Sequence, residues 1–170
     1  MKDSALSVAN YFVRKSLDEG KELKPLKLMK LVYIAHGFML ALMDRSVLNK
    51  EFDKVEAWKL GPVIPSVYYS FKIYKNSAIT QETFVVRVSG SKLDFETPKL
   101  NDEDAKKVCD IVWKRYDKHT DSDLVSILHR PGTPWAFCYR AGENKPIPDE
   151  LTKMYYKKLV ERLLSEIRNG

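Results

Sequence analysis

The sequence predicts a mostly α-helical domain of the α+β class: one unit over residues 1–170, built around a central buried helix, with a small β-hairpin inserted midway. Three observations predict it. Apolar residues recur at spacings of three and four in several separate windows. One window, 26–40, is apolar nearly all round, the pattern of a helix covered on most sides. One stretch, 83–96, changes to β-branched and aromatic residues around turn chemistry.

The first helix is expected over 4–17. Asp3 or Ser4 caps it by accepting from free N–H groups of the first turn, and Leu6, Ala9, Val13 and Leu17 form its apolar stripe. Gly20 supplies the stop. Pro25 suits the first turn of a second helix to about Met43, because its missing N–H is no loss there. Lys27 and Lys30 read as the one polar edge of this central element. Residues 52–58 form either a short strand or an extended segment. Gly61-Pro62-Val63-Ile64-Pro65 reads as a turn, since two prolines three apart cannot both sit inside a helix. Pro65 opens a short helix carrying Val67, Tyr68, Phe71 and Tyr74.

The hairpin over 83–96 turns at Ser89-Gly90-Ser91. Two strands alone are marginal, so it is expected to pack on the helices or pair with 52–58. Asn101 or Asp102 caps a long helix to Tyr116, with Ala105, Val108, Cys109, Val112 and Trp113 on one side. Asp121 or Ser122 begins a short helix through Leu128, and Pro131-Gly132-Thr133-Pro134 breaks the chain. The last helix follows Pro148, with Asp149 and Glu150 in its positive first turn and Leu151, Tyr155, Leu159, Leu163 and Ile167 every four residues.

Composition limits the function classes. The chain has 170 residues, is 44% apolar and 31% charged, and carries 29 basic against 23 acidic side chains, a net charge of +6. Those proportions argue against wholesale disorder. The surplus is +3 over 1–60, +2 over 61–120 and +1 over 121–170, with no basic tail or block, so nucleic acid is not the expected partner. The longest charge-free run is 31–43, shorter than the roughly 20 residues of a membrane span. The start lacks the uninterrupted apolar stretch of a signal peptide. Cys109 and Cys138 lack metal-type spacing and are expected as free thiols in a reducing cytoplasm. No catalytic, cofactor or metal residues are assigned: there is no Gly-rich phosphate loop, no zinc-protease motif and no nucleophile elbow. His129 and Cys138 lie within ten residues, but that spacing alone gives neither an aligned base nor an oxyanion site. His36, in the most apolar helix, is expected to be a satisfied core histidine. The aromatic stretch Trp58, Tyr68, Tyr69, Phe71 and Tyr74, interleaved with Lys59, Lys72 and Lys75, either faces the core, stacks on bases or anchors a protein interface; the first is expected.

Three stretches taken together resemble one family. They are Leu26-Lys27-Leu28-Met29-Lys30-Leu31-Val32-Tyr33-Ile34-Ala35-His36-Gly37, then Glu56-Ala57-Trp58-Lys59-Leu60-Gly61-Pro62-Val63-Ile64-Pro65-Ser66-Val67-Tyr68, then Leu128-His129-Arg130-Pro131-Gly132-Thr133-Pro134-Trp135. Their order and separation are similar to the Panacea domain, also described as the SocA-like antitoxin or GepA phage-associated family. Ile127-Leu128 stands where the family often has Leu-Thr before the histidine, and Pro131 where it often has an acidic residue. The resemblance implies a small bacterial or prophage protein without catalysis of its own. It implies an antitoxin that binds a cognate toxin encoded next to it, or else an adaptor delivering its partner to a Clp-type protease, or a phage accessory protein. It leaves no room in this chain for an added DNA-binding segment. Lys27, Lys30, Tyr33, His36, Trp58, Gly61, Pro62, Pro65, Tyr68, His129, Pro134 and Trp135 are the motif residues, holding the fold or touching the partner. The expected gain from a basic surface is then complementarity with an acidic partner.

Overall fold

The computed structural model describes residues 2–170. α1 (Ala5–Asp18) begins at Ser4, and the Ala5 N–H donates to the buried Asp53 carboxylate at 2.8 Å, placing a negative charge at the positive helix end. Asp3 does not cap α1. Its carboxylate accepts from the backbone N–H groups of Asn101 and Asp102, where α4 (Glu103–Tyr116) starts.

α2 (Pro25–Met43) is the centre of the molecule. α1, α3 (Pro65–Phe71), α4, α5 (Asp121–Leu128) and α7 (Asp149–Asn169) all pack on it. α2 is long and apolar enough to cross a membrane, but most of it is buried inside the fold, as in the core helix of a folded protein. Gly37 explains its closest neighbour. A Cβ there would lie 2.3 Å from ring atoms of Tyr156, so only glycine lets α7 lie this close. The Tyr156 ring then packs edge-on against Phe38 at 5.3 Å and Tyr33 at 6.1 Å. α2 ends at Asp44, in the left-handed region at φ 54.

Two small sheets accompany the helices. β1 (Glu56–Trp58) lies between β2 (Gly61–Val63) and β5 (Lys145–Pro146), antiparallel to both. β3 (Val85–Ser89) and β4 (Lys92–Glu96) form the separate hairpin. Its root is held by Asn10, buried in α1. The Asn10 amide donates to the Thr83 and Pro98 carbonyls and accepts from the Thr83 N–H, within 2.9–3.0 Å.

Several expectations need correction. Lys27 and Lys30 are no solvated edge: both are buried, because α4, α5 and the β1–β2 turn cover that side of α2. The 83–96 hairpin neither pairs with 52–58 nor hides against the helices. Val86, Val88, Leu93 and Phe95 remain exposed on one of its faces. Residues 61–63 are a strand rather than part of a turn. Pro62 is tolerated because β2 is an edge strand with no ladder bond to lose on its outer side. Thr120, not Asp121 or Ser122, caps α5. Pro134 opens a further short helix, α6 (Pro134–Cys138). In α7 the buried stripe centres on Thr152 and Tyr156, one position beyond the expected series, and Ile167 is 75% exposed. Cys109 sits in the core, and both cysteines are free thiols.

Candidate functional site

Eight motif residues from three distant stretches meet around the β1–β2 turn. The register pairs Trp58 with Gly61 and Ala57 with Pro62, leaving 59–60 as the connecting loop. Gly61 takes φ 106, which excludes other residues without strain. Beneath it, Lys30 reaches up from α2 with no surface exposure and donates to the Pro62 carbonyl at 3.0 Å. A Cβ on Gly61 would stand 3.0 Å from Lys30 Nζ and 3.4 Å from His129 Nε2. Glycine therefore lets a lysine and a histidine converge under one turn.

The electrostatics follow from that burial. Removal from water pushes the Lys30 ammonium down to about 7. The His129 imidazole is also held below its ordinary range, by burial first and then by the Lys30 charge; the Leu60 backbone acts in the opposite sense. His129 Nε2 is buried and has no hydrogen-bond partner, so the site favours a neutral ring.

Stacking closes the lid. The His129 and Trp135 rings lie parallel, 2° apart in plane, at 3.7 Å, and Tyr139 also stacks on Trp135 at 4.6 Å. Trp135 Nε1 donates to the Trp58 carbonyl at 2.7 Å, joining α6 to β1. Pro134 occupies the first turn of α6, and the buried Thr133 hydroxyl accepts from the Ala136 N–H as its cap. On the outer side, Trp58 Nε1 donates to Glu56 at 2.7 Å. The Trp58 ring meets Tyr68 edge-on at 5.0 Å, and Tyr68 meets Tyr69 at 5.2 Å. Lys72 lies over the Tyr69 ring at 4.9 Å. Tyr69 and Leu60 are 59% and 51% exposed, so an aromatic ladder leads from the locked turn to the surface. The stretch 58–74 is thus divided: Phe71 faces the core, while Tyr69 faces solvent.

Lys27, Tyr33 and His36 lie elsewhere, and Pro65 only begins α3 beside the turn. Lys27 Nζ donates to the carbonyls of Asp117 and His119, at 2.5 and 2.6 Å, where α4 ends. The Tyr33 hydroxyl meets Thr152 Oγ1 at 3.4 Å inside the α2–α7 contact. His36, fully buried, meets Asp149 Oδ1 at 3.0 Å through Nε2 and Ser46 Oγ at 3.4 Å through Nδ1. The His36 bond holds the Asp149 carboxyl below the usual carboxylate range. These three tie α2 to α4 and α7 and match the satisfied-core expectation for His36.

Sequence reasoning missed Asp53, Thr133 and Asn10, which hold loops through backbone groups and carry no periodic signal. The prolines and glycines around them were the available signal for Thr133. No hydrogen bond links His129 to Cys138 among the described residues. The inner side of the turn supplies stacking and one buried amine; the outer side supplies exposed aromatic surface, the chemistry of a binding face.

The family described as antitoxin SocA-like, Panacea domain, matches residues 28–136, which include Lys30, the β1–β2 turn, His129 and Trp135 but not Tyr139. Antitoxin SocA of Caulobacter vibrioides (strain NA1000 / CB15N) is 33% identical over 136 residues, covering 77% of this chain and 68% of that protein. No solved structure matches.

Proposed function

Because this chain belongs to the SocA-like Panacea-domain antitoxin family, we propose that it neutralises a cognate toxin by binding it directly, with no catalysis of its own. The acting unit is the whole of residues 1–170, since α1 and α7 complete the burial of α2. The setting is the cytoplasm, and the partner is the product of a neighbouring gene. The observation that carries this reading is the division of the motif cluster into a locked interior and an exposed aromatic edge. Lys30, Gly61, His129 and Trp135 hold the turn, and Tyr68, Tyr69 and Leu60 present it. Tyr and Trp bury large area at small entropic cost, which suits them as interface anchors.

The test is growth rescue. Expressed alone, the neighbouring gene product arrests growth; with this protein, growth resumes. Tyr69→Glu places a charge on the exposed edge. It is expected to leave the melting temperature unchanged and to weaken rescue. A neighbour that is harmless alone, or equally toxic alongside this protein, contradicts the reading. Partner fate separates masking from delivery to a Clp-type protease: masking leaves the toxin's half-life unchanged, and delivery shortens it.

A further inference from the structure

A second site shares no lining residue with those the antitoxin reading uses: a partly enclosed cavity of about 250 Å³ between α4, α5 and α7. Three arginines line it: Arg115 from the end of α4, Arg130 just after α5, and Arg162 from α7. No carboxylate lines it. Among the described residues Arg115 and Arg130 have no ion-pair partner; the nearest acid to Arg162 is Glu166 at 3.9 Å, and both of those side chains are about two-thirds exposed. Arg115 Nε donates to the Tyr116 hydroxyl at 3.2 Å, which fixes its fork beside the opening. Arg162 and Arg130 both act on the Tyr155 hydroxyl, opposing the upward push of burial on that phenol. His119 also lines the cavity, and its buried Nδ1 has no hydrogen-bond partner.

Like charges do not gather around one hollow without cost. Arg115 and Arg130 each lie near a helix C-terminus, where the helix dipole favours a cation. Arg162 lies within α7 and has no such reason to join them. Guanidinium forks match phosphate and carboxylate oxygens in pairs. One carboxylate would neutralise one of three charges, whereas a diphosphate carries enough negative charge for all three. The volume is below the roughly 300 Å³ lower range of sites for drug-sized ligands, so it fits the anion rather than a whole nucleotide. Ile127 and Leu159 give an apolar wall against which an attached organic group can lie.

We propose that this arginine-lined cavity between α4, α5 and α7 is a binding site for a diphosphate group, free or borne by a small molecule. The full chain is titrated calorimetrically with inorganic pyrophosphate, with ADP, and with sulfate at matched ionic strength. Pyrophosphate is expected to bind saturably with a Kd below about 1 mM, and sulfate at least tenfold more weakly. Arg130→Gln and Arg162→Gln are each expected to weaken binding at least tenfold, as loss of a charge-assisted hydrogen bond does. Lys92→Gln, on the remote hairpin, is the charge control and is expected to change nothing. Tighter binding of ADP assigns the diphosphate to a nucleotide-like carrier; equal or weaker binding assigns the free anion. Absence of saturation up to about 10 mM pyrophosphate, or equal weakening by Lys92→Gln, overturns the proposal. Circular dichroism melts of the same variants separate lost binding from lost folding, and toxin rescue by Arg130→Gln shows that this site is independent of the antitoxin edge.

Discussion

Gly61 and Lys30 show how single residues set the geometry of the turn. Gly61→Ala forces a side chain into φ 106 and against Lys30 and His129. The backbone strain alone is expected to cost about 1–3 kcal/mol, read as a lower denaturation midpoint with unchanged slope. Lys30 makes a signed pH prediction. Burial holds its amine down at about 7 in the fold, against about 10.4 when unfolded. Between those values the unfolded chain binds more protons, so this residue's destabilising effect fades as pH rises. Lys30→Met is therefore expected to be more favourable relative to wild type at pH 7 than at pH 10. Buried Cys109, whose thiol burial pushes up, and the buried phenols act equally on both proteins and cancel in the difference. A difference constant across that window contradicts a buried amine at the turn. Lys30 is also where sequence reasoning failed at this scale. A lysine three residues from another on a helix resembles a solvated edge, and only the chain returning at Pro62 buries it.

At the scale of elements, α2 against α7 decides the architecture, and Gly37 sets how close they come. Gly37→Ala drives a methyl into the Tyr156 ring, and overpacking of this kind costs about 1–3 kcal/mol. The denaturation midpoint reports it, and Gly37→Ala combined with Tyr156→Leu is expected to recover part of the loss. Helices were legible where their signals are local. Pro25 fixed one boundary, and the Val108–Val112–Tyr116 stripe marked the buried side of α4. The β elements were less legible. β1 to Trp58 read as strand or extended, but its partners lie at Gly61–Val63 and Lys145–Pro146, the latter far along the chain and too short to show a period of two. α6 was hidden for a similar reason: at five residues it has no periodicity, only Pro134 after a capping threonine. The Leu151–Ile167 series misled because the face that meets α2 carries Thr152, which gives no apolar signal, beside Tyr156, and because spacing of four drifts by about 40° per step, which carries the series out to solvent by Ile167.

Across the whole molecule, three sequence stretches become one site because α2 lies beneath both the β1–β2 turn and the α5–α6 turn. That convergence was legible only as co-occurrence of motifs. Which of their residues meet, and that Lys27, Tyr33 and His36 meet other partners, needed the fold. The net charge of +6 gains a location: part of the surplus faces one cavity at Arg115, Arg130 and Arg162 rather than a broad basic face. Neutralisation by a complex is read directly by size-exclusion chromatography with light scattering on lysate from rescued cells. The neighbouring gene product is expected to co-elute with this protein in a stoichiometric complex, at an undiminished cellular level, and Tyr69→Glu is expected to dissociate it. Rescue in the absence of any complex, with the toxin degraded, would contradict it.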